Sequence, residues 1–235
     1  MNELAELGRA HGVPVYEDVG SGCLVDLRPY GIDEPIVSDS LAAALNLVSF
    51  SCDKLLGGPQ SGIIVGDPEL VQRVRRNPMY RALRVDKLIV EALETTLRHL
   101  IAENWQAIPT LQMIFAAPEE IQARAERVLQ NLQSLDAAVR ESKSAIGGGS
   151  TPDQTLPTWA IELTVPNPTA FERHLRLGQV PVIARIEGDR IILDMRTVAD
   201  EEEKLLIAAI QGAAEAAACQ APKYQNATRS GQPQS

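Results

Sequence analysis

A chain of 235 residues, 45% hydrophobic and 23% charged, has the composition of a folded globular protein and can bury a core in one or two domains. Its longest apolar runs are far too short to cross a bilayer and no charged-then-apolar signal region opens it, so cytoplasm is the expected location. A net charge of −9 has the wrong sign for a chain devoted to gripping a phosphate backbone, although a local basic patch within an acidic protein can still meet one. Cys23, Cys52 and Cys219 are an odd set without metal-ligand spacing, which argues against a disulfide framework or a zinc site.

Taken in chain order, the first half alternates helix and strand. A helix is expected over 2–10, closed by Gly12, then a strand over 13–19, a short helix over 37–45, and strands over 46–50 and 62–65. Short apolar runs bounded by Gly and Pro suit buried strands of a mixed or parallel sheet. Pro68 opens a helix to Arg76, with Asp67 as its N-cap. A longer helix is expected from Arg84 or Val85 to Ile101, and another from Pro118 to Glu141 on the register of Ile121, Ala125, Val128, Leu132 and Leu135. Strands follow over 158–165, 180–186 and 190–194, with a helix over 169–177 and a hairpin turn at Glu187-Gly188-Asp189. A closing helix over 200–217 leads into a Gln-, Ser- and Pro-rich tail read as disordered. The pattern divides into the end of an α/β layer (1–105), a smaller α+β domain (106–218) and the tail (219–235).

The most informative stretch is Ser49-Phe50-Ser51-Cys52-Asp53-Lys54, followed by Leu55-Leu56-Gly57-Gly58-Pro59. It sets one lysine just past a strand, among hydroxyls, with a Gly-Gly-Pro turn behind it. That placement suits a Schiff-base lysine, a fixed amine that a carbonyl cofactor can capture. Upstream, Val13-Pro14-Val15-Tyr16-Glu17-Asp18 is a strand ending in an acid. An acid at one strand end and a lysine at the next suit pyridoxal phosphate, with the acid on the pyridine nitrogen and the lysine on the aldehyde. The plainer readings stay open: a surface lysine at Lys54, an acid capping the Gly20-Ser21-Gly22 turn at Asp18, and ordinary turn chemistry at Ser51 and Asp53.

Glu17-Asp18-Val19-Gly20-Ser21-Gly22, the lysine stretch through Gln60, Ser61-Gly62-Ile63-Ile64-Val65-Gly66 and Arg81-Ala82-Leu83-Arg84-Val85-Asp86-Lys87 resemble the bacterial L-seryl-tRNA(Sec) selenium transferase (selenocysteine synthase) family. The likeness continues through Ile108-Pro109-Thr110-Leu111, residues 146–150, Val180-Pro181-Val182-Ile183-Ala184-Arg185-Ile186 and Leu193-Asp194-Met195-Arg196. It implies the C-terminal part of a fold-type-I pyridoxal phosphate enzyme, an α/β protein with a partial mixed sheet followed by a smaller α+β domain.

It further implies conversion of seryl-tRNA(Sec) to selenocysteinyl-tRNA(Sec) with selenophosphate as selenium donor, by β-elimination and addition. Lys54 then holds the cofactor and moves the α-proton, Asp18 faces the pyridine nitrogen, Ser51 bonds the cofactor phosphate, and Asp53 orients the amine or assists proton transfer. Arg81 and Arg84, three apart, converge on selenophosphate, with a solvated arginine pair as the plainer reading. Arg185 and Arg196 lie where related enzymes place substrate-facing arginines. His11, His99 and His174 read as structural, Trp105 and Trp159 as core. A homo-oligomer is expected, with neither membrane nor DNA as partner.

Two departures accompany the likeness. The family has glycine where this chain has Cys52, a strained choice if that position needs positive φ. Its proteins are also about twice as long, the missing half being N-terminal. The alternatives are an inactive or assembly-only paralogue, or a lyase acting on a small amino acid.

Overall fold

The computed structural model describes residues 1–147, 150–151 and 153–220, with side chains left out at 218–220. The expected disordered tail thus lies outside the described residues, apart from the backbone of its first two.

Two compact units are present. Among the described residues the first comprises those of 1–117 and 143–157, the second those of 118–142 and 158–220. Sequence patterning placed the change of layer near residue 105; the contacts extend the first unit through Ala117 and return to it at Lys143.

In the first unit, α1 (Asn2–His11) ends on Gly12 at φ 60, and β1 (Tyr16–Val19) follows. After α2 (Val37–Ala42) come β2 (Leu47–Ser51) and β3 (Gly62–Gly66). The sheet runs β1-β2-β3, with β1 parallel to β2 and β2 antiparallel to β3. This is the mixed sheet expected, though β1 is shorter than the apolar run suggested, beginning only at Tyr16. Residues alternate across its faces. Glu17, Val19, Val48, Phe50, Ile63 and Val65 share one face, where Val48 is fully buried. Tyr16, Asp18, Leu47, Ser49, Ser51 and Ile64 share the other.

Beyond the sheet, α3 (Pro68–Arg76) is capped by Asp67, whose carboxylate accepts from Glu69 N and Leu70 N. The next segment corrects the sequence reading. Asn77 caps a separate helix, α4 (Pro78–Leu83), and α5 (Lys87–Ile101) starts behind Asp86. Two Asx caps and an extended Arg84 break what apolar periodicity reads as one helix start. One face of α5, through Leu93, Leu97 and Leu100, packs on the core of Val19, Val48, Phe50, Cys52 and Leu56. A second cluster gathers Cys23, Leu27, Ile32, Leu55, Ile108 and Leu111, with α6 (Pro109–Phe115) closing it. Trp105 is half-buried against this cluster, edge-on to Phe115.

In the second unit, α7 (Pro118–Leu129) stops well short of Glu141, and residues 136–145 form the strand β4 (Asp136–Ala145). Asn131 N to Val128 O and Leu132 N to Leu129 O tighten the last turn and end the helix. Leu132 stays buried, which is why the apolar spacing continues through it. A four-stranded sheet takes the order β4-β5-β7-β6, with β5 (Thr155–Thr164), β6 (Arg185–Glu187) and β7 (Arg190–Asp194). Its strands from 143 to 145 and 155 to 157 count with the first unit. The expected strand over 180–186 is reduced to β6: Pro181 has no N–H to give a ladder, and Val182 N donates to Leu175 O at the end of the preceding helix. Gly188 at φ 54 and Asp189 at φ 62 make the β6–β7 turn, as their sequence indicates. Helices α8 (Pro168–Arg176) and α9 (Glu203–Gln220) complete the unit, with Phe171, Leu175 and Ile210 buried. No helix among the described residues is long and apolar enough to cross a membrane.

Candidate active site

Parallel pairing of β1 with β2 sends both strands toward the same end of the sheet. Asp18, second from the end of β1, stands in register with Ser49. The chain leaves β1 through Gly20-Ser21-Gly22 and leaves β2 through Cys52-Asp53-Lys54, and these two exits pack together. Leu55 N donates to Ser21 O at 3.1 Å, while Gly58 N donates to Cys52 O at 2.7 Å and Gly57 N to Lys54 O at 2.9 Å. Gly22 has φ 68, and a Cβ there would collide with the carbonyl of Ser51, so only glycine permits this approach.

Within that frame Lys54 is half-buried, and its Nζ lies 3.9 Å from where a Cβ on Gly20 would stand. Its ammonium has neither a hydrogen bond nor an ion pair with any described residue. Leu55 and Leu56 directly behind it are buried and anchor the loop. Asp53 beside it is exposed. Asp18 is exposed on the open sheet face, and its Oδ1 accepts from Ser49 Oγ at 2.9 Å. Ser49 Oγ is in turn 2.7 Å from the Tyr16 hydroxyl. Ser51 is half-buried at the end of β2 on the same face as Ser49.

Cys52 faces away from this surface. It is fully buried in the core under the sheet and is not among the described residues with positive φ, so cysteine sits there without that backbone strain. Burial pushes its thiol pKa up, a hydrogen bond with Ser61 partly opposing this. Cys23, in the neighbouring cluster, is pushed up to about 11 by burial.

The open face lines a trough of about 960 Å³ together with α3 and α4. Tyr16, Asp18, Ser49 and Ser51 form its floor, with Arg73, Tyr80 and Leu83 among its walls. Asp18, Ser51 and the Lys54 loop are therefore brought to one end of one sheet. Arg81 lies in the last turn of α4 and Arg84 at its C-cap, both exposed. Neither lines the trough, and neither has an ion pair or side-chain hydrogen bond with a described residue. Tyr16 and Ser49 were not singled out by sequence; a Tyr-x-Asp alternation opposite a serine was the available signal, legible only once the strand register is known.

Arg185 and Arg196 belong to the second unit. Arg185 donates from Nη2 to Ser142 Oγ at 3.3 Å and sits 3.1 Å from Glu187; Arg196 is buried, which lowers its pKa.

The chain is 38% identical over 219 residues to an L-seryl-tRNA(Sec) selenium transferase of Clostridium perfringens, covering 89% of this chain and 47% of that protein. A protein of the same description from Hyphomonas neptunium is 45% identical over 206 residues, covering 84% and 44%. The chain thus spans about half the length of the curated relatives it matches. A solved D-glucosaminate-6-phosphate ammonia-lyase aligns at a TM-score of 0.58 with 20% identity, over 92% of this chain and 53% of that one. The fold is accordingly the expected mixed α/β fold, shared with about half of that structure's length. The profile of the L-seryl-tRNA selenium transferase family matches residues 1–199, and the chain belongs to that family.

Proposed function

We propose that this chain carries the lysine-bearing part of a pyridoxal phosphate enzyme that converts seryl-tRNA(Sec) to selenocysteinyl-tRNA(Sec) with selenophosphate. The observation that carries the reading is the packing of the Lys54 loop on the Gly20-Ser21-Gly22 turn, at the end of the strand that bears Asp18, in a chain of this family. The residues present fit the cofactor. Among the described residues the Lys54 amine has no ionic partner and lies beside Gly20, which carries no side chain, and one oxygen of Asp18 receives no hydrogen bond.

Bound there, pyridoxal phosphate would supply an electron sink at the substrate's α-carbon. Lys54 would hold its aldehyde and later move the α-proton. Asp18 would keep the pyridine nitrogen protonated, Ser51 would bond the phosphate, and Asp53 would orient the lysine amine. Arg81 and Arg84, exposed and without ionic partners among the described residues, would neutralise selenophosphate as it delivers selenium. A homo-oligomer fits the same reading. The outer edge of β1 has no neighbouring strand among the described residues, and Met79, Leu83 and Leu88 are exposed large apolar side chains.

The test is the visible absorption spectrum of the purified chain mixed with pyridoxal phosphate, beside Lys54→Ala. A band present in the parent and absent in the variant is expected, followed by selenium incorporation into seryl-tRNA(Sec). Equal spectra overturn the reading. A Lys54-dependent band with turnover of free serine alone would instead favour a small-molecule lyase.

A further inference from the structure

We propose that Tyr16 and Ser49 are positioning residues, a hydrogen-bonded relay that holds the Asp18 carboxylate toward the cofactor's pyridine nitrogen. The inference rests on the cofactor reading above and assigns two residues to it.

The parallel register puts Ser49 directly beside Asp18, and Tyr16 lies two residues before Asp18 on the same face of β1. Ser49 Oγ donates its single proton to Asp18 Oδ1 at 2.9 Å. With that proton committed, the 2.7 Å contact between Tyr16 and Ser49 has only one sense: the phenol donates to the serine oxygen. Both donations point toward the acid, so each polarises the next and the chain ends on a charge. Only Oδ1 is engaged. Oδ2 receives no hydrogen bond from the described residues, as a carboxylate that is to receive a further N–H requires.

The alternative is that three polar side chains merely satisfy one another on a wet sheet face. The two cases differ in what happens to the pyridine nitrogen. A relay that only decorates the surface leaves the nitrogen's protonation to Asp18 alone. A relay that fixes the carboxylate rotamer and its charge makes that protonation depend on Ser49, and less strongly on Tyr16.

The experiment uses the full chain with pyridoxal phosphate labelled with ¹⁵N in the ring, reading the nitrogen's chemical shift and the cofactor's dissociation constant. Ser49→Ala is expected to weaken binding about tenfold, a loss of about 1.4 kcal/mol, and to move the nitrogen signal toward its unprotonated position. Ser49→Thr keeps the hydroxyl and should restore both readouts. Tyr16→Phe should shift them in the same direction by less. The Lys54-dependent band should persist in all three. Wild-type shift and affinity in Ser49→Ala and Tyr16→Phe, while Asp18→Ala moves both, would overturn the relay and leave the cofactor reading standing. A parent chain without a Lys54-dependent band overturns the cofactor reading, and the relay with it.

Discussion

Gly22 and Ser51 hold the two strand exits together: the turn after β1 presses its bare Cα side against the Ser51 carbonyl, where no side chain fits. Gly22 also sits at φ 68, a region that L side chains avoid. Gly22→Ala is therefore expected to lower stability by about 2 kcal/mol or more. In a chain of this size that reads as a melting temperature lower by about 4–8 °C. It should also remove the Lys54-dependent band at temperatures where circular dichroism still reports a folded chain, since the turn carries the lysine loop. A stable variant with the parent's spectrum would show that the two exits tolerate separation.

Arg81 and Arg84 have no ionic partner among the described residues, so removing them should cost the fold little. The double variant Arg81→Ala/Arg84→Ala is expected to raise the KM for selenophosphate at least about tenfold, the loss of one charge-assisted contact. Its Lys54-dependent band should be unchanged. Equal kinetics in parent and variant would remove both arginines from the selenium site.

Arg124, only 14% exposed at its side chain, joins α7 to the far end of the second unit. Its Nε pairs with Asp200 at 2.7 Å and its Nη1 donates to Met195 O at 3.2 Å and to Val198 O at 2.7 Å. Arg124→Ala leaves two carbonyls without that donor and should cost about 2–3 kcal/mol in urea unfolding. Lysine cannot reproduce the fork, so Arg124→Lys should recover only part of the loss.

Cys23 tests the packing of the first unit. Its thiol is raised from 9.0 to about 11 by burial, so at pH 8 the native thiolate is about 100-fold scarcer than in an open chain. Because the folded pKa is raised, the preference of the fold for the neutral thiol is fully present below pH 9 and is lost as pH climbs through 11. Alkylation by iodoacetamide at pH 8, followed by mass spectrometry, should label Cys23 at least about 100-fold more slowly in the native chain than in urea.

Much of the local structure is legible in the sequence, because its signals lie in neighbouring residues. Asp67-Pro68 announces α3, and Glu187-Gly188-Asp189 announces the β6–β7 turn. The lysine stretch and the upstream acid are likewise marked by their own neighbours. What eludes sequence is whatever depends on pairing. Residues 136–141 keep enough apolar spacing to read as helix, and only their place beside β5 makes them part of a strand. Ser49 gains meaning only once the register sets it beside Asp18. Cys52 looks like a strained replacement until its side chain is found in the core.

The parallel ladder between β1 and β2 sets how this site tolerates change in chain length. Acid and lysine are metered by strand residues, not by the long excursion over 20–46 that separates them in sequence. Residues added at the exposed 3₁₀ turn Arg28–Tyr30 would lengthen the path and leave the acid beside the same serine. One residue added inside β2 would turn Ser49, Ser51 and the chain leading to Lys54 onto the opposite face. Length variation among relatives should therefore gather in the excursion and be absent from the ladder.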